Sequence, residues 1–164
     1  MGGFGKKFEL EKAKAIADSI TKRILAKKIE VCGSIRRGKS EVGDIDIVVV
    51  PHKFGEFCSS IENILNEEHG KSLVYGQRNI RFVLNNDLQI DIAVFDDDTF
   101  ESGKLYFTGS KWFNIRCRSN AKKLGYRLNE YGLWDKDGNR VAHTEKEILR
   151  KIGMEKYIDP KTRK

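Results

Sequence analysis

Residues 31–50 constrain the fold more than any other stretch: Val31-Cys-Gly-Ser-Ile-Arg-Arg-Gly-Lys-Ser-Glu-Val-Gly-Asp-Ile-Asp-Ile-Val-Val-Val50. They read as a buried strand, a Gly-Ser turn carrying two arginines, and a second strand that opens with two aspartates. Side chains alternate across a strand, so Asp44, Asp46 and Val48 share one face and Ile45, Ile47 and Val49 the other. The second strand therefore starts as chemistry and continues as core.

Two residues along a strand is a rise of roughly 6.6 Å, so both carboxylates can converge on divalent metal, which takes oxygen ligands together with substrate phosphates. Gly33-Ser34 allows backbone amides close to an anion, and Arg36 and Arg37 supply charge for phosphate. Taken singly, an Asp-x-Asp pair is common at solvated strand ends, and a Gly-Ser pair is only a turn. Acid for metal and base for phosphate, joined to a core strand, is the layout a nucleotidyl transferase needs.

Charge divides the chain. Residues 103–164 hold 16 Lys and Arg against 7 Asp and Glu, a net +9, whereas residues 1–102 hold 15 against 17, a net −2. A polyanion held mainly by the C-terminal third fits this asymmetry, as does a merely soluble basic surface. Cys32, Cys58 and Cys117 are isolated, so neither a disulfide framework nor a zinc site is implied and a reducing compartment is expected. No stretch is long and apolar enough for a membrane span, and a cytoplasmic or viral, non-secreted protein is expected. Met1–Gly5 reads as a mobile arm, either native or in part foreign to the natural chain.

Apolar spacing predicts a helix over 9–28 (Ala13, Ile16, Ala17, Ile20, Ile24) and another over 54–69 (Phe57, Ile61, Ile64, Leu65), with strands at 29–33, 72–76, 79–84 and 88–95. In the last strand Asp91 interrupts an apolar run, and a carboxylate there needs either a partner or a metal. Asp96, Asp97 and Asp98 read as a solvated turn. Ser110 can cap a helix ending before Gly125, with Phe113, Cys117, Ala121 and Leu124 inward and Asn114, Arg118 and Lys122 together on another face. Before it, Tyr106-Phe-Thr-Gly109-Ser110 reads as a glycine-bearing turn whose aromatics suit a sugar or base. Residues 126–134 read as one strand turning at 135–138 into 139–142, and Thr144 with Glu147 as a capping box for a short helix to Ile152.

Gly33-Ser34, Arg36-Arg37-Gly38, Gly43-Asp44-Ile45-Asp46 and the block 105–118 resemble the signatures of the family X DNA polymerases, within the nucleotidyltransferase superfamily. The resemblance covers roughly residues 9–160. It implies an α/β (α+β) fold: a palm with a mixed β-sheet and flanking helices over 1–102, and a small α+β C-terminal subdomain over 103–164. A lyase or helix-hairpin-helix domain is not expected. It implies metal-dependent transfer from a dNTP to a DNA primer 3′-hydroxyl, in short-gap repair. Asp44, Asp46 and Asp91 would be catalytic and hold two Mg²⁺ ions, with Mn²⁺ as the alternative. Gly33, Ser34, Arg37, Gly43, Tyr106, Phe107, Gly109 and Asn114 would bind the nucleotide, and Arg118 and Lys122 the DNA. A monomer is expected. Family arginines two positions either side of the third aspartate are here Gln89 and Ala93. The position after Asn114, often basic, is Ile115, so a weaker template grip is expected. A template-independent transferase and a non-catalytic nucleic-acid-binding module are the alternatives.

Overall fold

The computed structural model describes residues 6–164, and the expected N-terminal arm lies outside them. In chain order the first part runs β1 (Phe8–Glu9), α1 (Leu10–Thr21), β2 (Lys28–Val31), α2 (Gly33–Arg36), β3 (Glu41–Val42), β4 (Asp44–Val50), α3 (Phe54–Glu67), β5 (Lys71–Tyr75), β6 (Asn79–Val83) and β7 (Gln89–Val94). A five-stranded mixed sheet has the order β2-β4-β7-β6-β5. Its only parallel pair is β4 with β7, the pair that sets Asp46 directly opposite Asp91.

One face of this sheet is a conventional core. Ile45, Ile47 and Val49 of β4 and Ile90, Ile92 and Val94 of β7 pack beneath Ala13, Ala17 and Ile20 of α1 and Phe57, Ile61 and Ile64 of α3. The other face is divided along its length. Its far end is apolar, with Val48, Val50, Ala93 and Phe95 covered by Phe100. Its near end carries the three aspartates.

Phe100 belongs to α4 (Phe100–Thr108), a helix the sequence reading did not anticipate. Tyr106 and Phe107 therefore stand in its last turn rather than in a loop. Periodicity concealed α4 because it is apolar on two sides: Phe100 and Phe107 face the sheet, and Leu105 faces a separate C-terminal cluster. Gly103 permits the approach, since a Cβ there would lie 2.6 Å from the Phe95 ring.

The C-terminal cluster is enclosed by α5 (Lys111–Lys123), β8 (Arg127–Asn129), β9 (Gly132–Trp134), β10 (Arg140–Ala142) and α6 (Glu145–Lys151). Ser110 Oγ accepts from the Phe113 amide at 3.2 Å, so α5 begins where expected. Thr144 and Glu147 form the reciprocal capping box at the start of α6, worth about 1 kcal/mol. The three short strands make an antiparallel meander in the order β10-β9-β8.

Several boundaries differ from expectation. Helix α1 stops at Thr21, not near 28: the chain tightens into three-residue turns at Arg23 and Ile24, while Arg23 reaches Glu67 and Glu68 beside α3. The Gly-Ser turn is the single helical turn α2. Residues 126–134 form a hairpin instead of one strand, because Asn129 Oδ1 accepts from the Tyr131 and Gly132 amides. Leu124 follows the last helical residue of α5 with non-helical backbone and turns outward, 54 % exposed. All three cysteines are free, and among the described residues no helix is long and apolar enough to cross a membrane.

Candidate active site

Parallel pairing of β4 with β7 converts two separate sequence features into one cluster. Asp46 and Asp91 are register partners, and Asp44 lies two residues before Asp46 on the same face. Each of the three offers a carboxylate oxygen, and these oxygens lie within 4.8 Å of one another. Three like charges this close and this sheltered repel. Burial first, then the charges of Asp44 and Asp91, push the Asp46 carboxyl up to about 8. Burial and then Asp91 raise Asp44 as well. An all-oxygen set held at this separation fits a hard divalent cation, which would remove the repulsion.

The protein supplies some countercharge. Arg81 of β6 is the register partner of Asp91 on the other side, and its Nε donates to Asp91 Oδ1 at 2.5 Å. Gln89 Nε2 donates to Asp91 Oδ2 at 3.0 Å. Asp91 thus has the partner its apolar strand demanded and also joins the acidic cluster. The sequence reading missed Arg81, ten residues upstream. A hairpin count across Asn85–Asp87 could have found it.

Helix α2 brings the proposed phosphate ligands alongside. Gly33, with φ +59°, presses so closely on the Asp46 carboxylate that any Cβ would overlap it. Ser34 Oγ accepts from Arg37 Nη2 at 3.4 Å, and Arg37 Nη1 donates to the Thr108 carbonyl at 2.6 Å. Burial lowers the Arg37 guanidinium, against the pull of Asp46 and Asp44. Gly43 makes the bend between β3 and β4 directly before Asp44.

Arg36 is engaged within the protein. Its guanidinium donates to Glu145 at 2.7 and 2.8 Å and to Thr108 Oγ1 at 2.8 Å. Arg163, fully buried near the C-terminal end, donates to the same carboxylate at 2.9 Å. Burial pushes Glu145 up, but the hydrogen bonds and charges of Arg36 and Arg163 outweigh it and hold the group below the usual carboxylate range.

The remaining predicted residues gather at the junction of α4 and α5. Gly109, with φ +66°, links the two helices, and Arg37 Nη1 would lie 3.2 Å from any Cβ there. Asn114 Nδ2 donates to the Tyr106 carbonyl at 2.8 Å. Tyr106, Asn114 and Arg118 line one small hollow with Leu128 and Asn129. Phe107 packs edge-on against both the Tyr106 ring at 5.1 Å and the Phe95 ring at 5.9 Å, so the two aromatics stand together between this hollow and the neighbouring cleft. Lys122 is exposed one turn beyond Arg118. On the Phe107 side a cleft of about 340 Å³ runs from Asp91 and Arg81 past Arg78 to Tyr131.

Comparison with known proteins agrees with this fold. Residues 7–127 match the family described as DNA polymerase beta palm, and residues 103–164 the one described as DNA polymerase beta thumb. The chain is 30% identical over 148 residues to a repair DNA polymerase X of African swine fever virus, covering 86% of this chain and 84% of that one. It is 29% identical to DNA polymerase lambda of Rattus norvegicus over 80% of this chain and 28% of that protein. It is 27% identical to the DNA polymerase/3'-5' exonuclease PolX of Bacillus subtilis over 77% and 22% respectively.

Proposed function

The chain belongs to the family X DNA polymerases, and from its site we propose templated, short-gap DNA synthesis, with nucleotides joined to a primer 3′-hydroxyl at the Asp44–Asp46–Asp91 cluster. The observation that carries this reading is the convergence of three carboxylates from two parallel strands, with Ser34 and Arg37 beside them. Asp44, Asp46 and Asp91 would hold the divalent metal, with Mg²⁺ the expected ion because it prefers carboxylate and phosphate oxygens. When bound, it supplies Lewis-acid stabilisation of the attacking and leaving oxygens.

The chain's own groups do the rest. Ser34 and Arg37 hold the β- and γ-phosphates, and the Thr108 carbonyl fixes the Arg37 guanidinium in place. Asn114, anchored on the Tyr106 carbonyl, presents its remaining amide functions to the incoming base. Tyr106 borders the sugar there. Phe107, packed on the Tyr106 ring and braced against Phe95, borders the sugar with it. Gly109 gives the backbone room beside Arg37. Arg81 and Gln89 hold both oxygens of Asp91, the carboxylate that opens onto the cleft and hence onto the primer side. Arg118 and Lys122 meet the template strand.

The proposed division into a palm up to residue 102 and a nucleotide-binding subdomain from 103 falls inside α4. That helix would then carry any motion of one part to the other. A monomer is sufficient for every group named.

The test is extension of a labelled primer on a one-nucleotide gap, an open template and a single strand, with each nucleotide supplied singly and Asp46→Ala in parallel. Complementary addition on the gap, lost in the variant, is expected. Addition independent of template sequence would make the protein a terminal-type transferase. DNA binding without any addition would leave a binding module.

A further inference from the structure

Helix α5 carries an unexplained aromatic. Trp112 is 69 % exposed, the most exposed large hydrophobic side chain among the described residues. The chain's other tryptophan, Trp134, has Arg140 over its ring and an indole hydrogen bond to Asn129. Among the described residues Trp112 has neither. Exposing an indole to water is costly unless something covers it in use.

The surroundings specify what covers it. Helix α5 holds Lys111, Arg116, Arg118, Lys122 and Lys123 and no acidic residue, and among the described residues none of these cations is paired with a carboxylate. Its first turn contains Lys111 where Asp or Glu would suit the helix dipole. That arrangement is unfavourable for an isolated helix and favourable beside an anionic ligand. At 100° per residue the outward face runs, in order, Asn114, Arg118, Lys111, Lys122, Ile115, Ser119, Trp112. Ile115 is itself 37 % exposed. Ile115, about 20° past Lys122, and Trp112, about 80° past it, therefore continue the proposed nucleotide- and template-contacting band on the side away from Asn114. A flat ring beside a flat aliphatic surface, fringed by unpaired cations, is a stacking platform for single-stranded nucleic acid.

We propose that Trp112, with Ile115, stacks on the first unpaired base of the template strand, just beyond the base pair being formed. The inference rests on the polymerase reading for the identity of the strand. It gives the protein a grip on template overhangs that no backbone-phosphate contact supplies.

The experiment uses the full chain with Trp134→Phe, so that Trp112 is the sole tryptophan, without nucleotide or metal. It is titrated with a duplex bearing a 5′ template overhang and with the same duplex blunt. Trp112 fluorescence should be quenched by the overhang DNA and not by the blunt DNA. In the otherwise native chain, Trp112→Ala should weaken overhang binding about tenfold or more and leave blunt-duplex binding within about twofold, and Trp112→Phe should recover most of the loss. Equal weakening on both DNAs, absence of quenching, or an indole signal that changes with protein concentration alone would overturn the proposal. Because these are binding readouts, platform and polymerase readings fail separately. Templated incorporation with an inert Trp112 removes the first, and overhang-specific quenching without incorporation removes the second.

Discussion

Two sheltered charge triads lie on either side of α2, and they are built on opposite principles. Asp44, Asp46 and Asp91 are three acids within 4.8 Å of one another, offset from the rim by Arg81 and Arg37. Glu145, Arg36 and Arg163 are one acid between two bases, with the Glu145 and Arg163 side chains 10 % and 0 % exposed and Glu30, 3.7 Å from Arg36, supplying the second negative charge. In the first, every group disfavours its neighbours' charges. In the second, the shared carboxylate and the two guanidinium groups each need the opposite charge they face. Adjacent arginines divide the labour: Arg36 turns to the paired triad and Arg37 toward the acidic one. A buried charge cluster that is neutralised internally holds the molecule together, and one left uncompensated is reserved for a ligand.

The largest effect should come from the uncompensated side. Asp46→Ala is expected to reduce primer extension by at least about a thousandfold, on the scale of losing a principal transition-state contact, while DNA affinity stays within about twofold. Single-turnover incorporation and a filter-binding titration on the same preparation read the two quantities. An active variant would remove the acidic triad from the mechanism.

On the paired side the same kind of truncation should fail structurally. Glu145→Ala leaves two buried guanidinium groups without their shared acceptor, and breaking such a pair costs about 3–5 kcal/mol. Urea denaturation should show that loss, and Glu145→Gln, which keeps an acceptor, should lose less. A stability change below about 1 kcal/mol would end the contrast between the triads.

These two triads were unequally legible in the sequence. Asp44 and Asp46 lie in one strand, and local pattern marked Asp91 as a charge in an apolar run that needed a partner or a metal; the family resemblance joined it to the other two. The buried sheet strands, α3, the Ser110 cap and the Thr144 capping box were legible for the same local reason. Glu145, Arg36 and Arg163 are far apart in the chain, and nothing near Arg163 distinguishes it from a solvated tail. Arg81 needed the cross-strand register, β1 is only two residues long, and α4 lacks a single apolar stripe because two cores claim it. What the sequence hid was long-range pairing.

pH should separate the triads with opposite signs. The Asp46 carboxyl is raised from 3.8 to about 8, so between those values the folded state binds more protons than the unfolded one. Metal-free stability should therefore fall as pH rises through that window. Glu145 is depressed below 4.5, so its contribution is present above that value and lost as pH falls through the folded one. Thermal unfolding without metal should show a maximum near pH 4–5. A tenfold change in proton affinity is worth about 1.4 kcal/mol. Asp46→Asn should thus raise the melting temperature at pH 8 by several degrees, with the gain vanishing near pH 4. Mg²⁺ added to the native chain at pH 8 should produce a similar rise. A flat profile would mean that the acidic cluster is better solvated than its geometry indicates.

The smallest effect distinguishes cations spent inside the protein from those left for DNA. A basic residue that contacts a phosphate releases about one counterion, so it steepens the dependence of log affinity on log salt by about 0.9. Lys122 is exposed and unpaired among the described residues, so Lys122→Ala should lower the measured slope by about that amount with only a modest loss of affinity. Arg36 carries the same formal charge but spends it on Glu145 at 2.7 Å. Arg36→Lys, which gives up the bidentate geometry while keeping the charge, should lower stability and leave the slope unchanged. If Arg36→Lys flattened the salt dependence instead, the guanidinium would have to reach phosphate in the complex, and the paired triad would open when DNA binds.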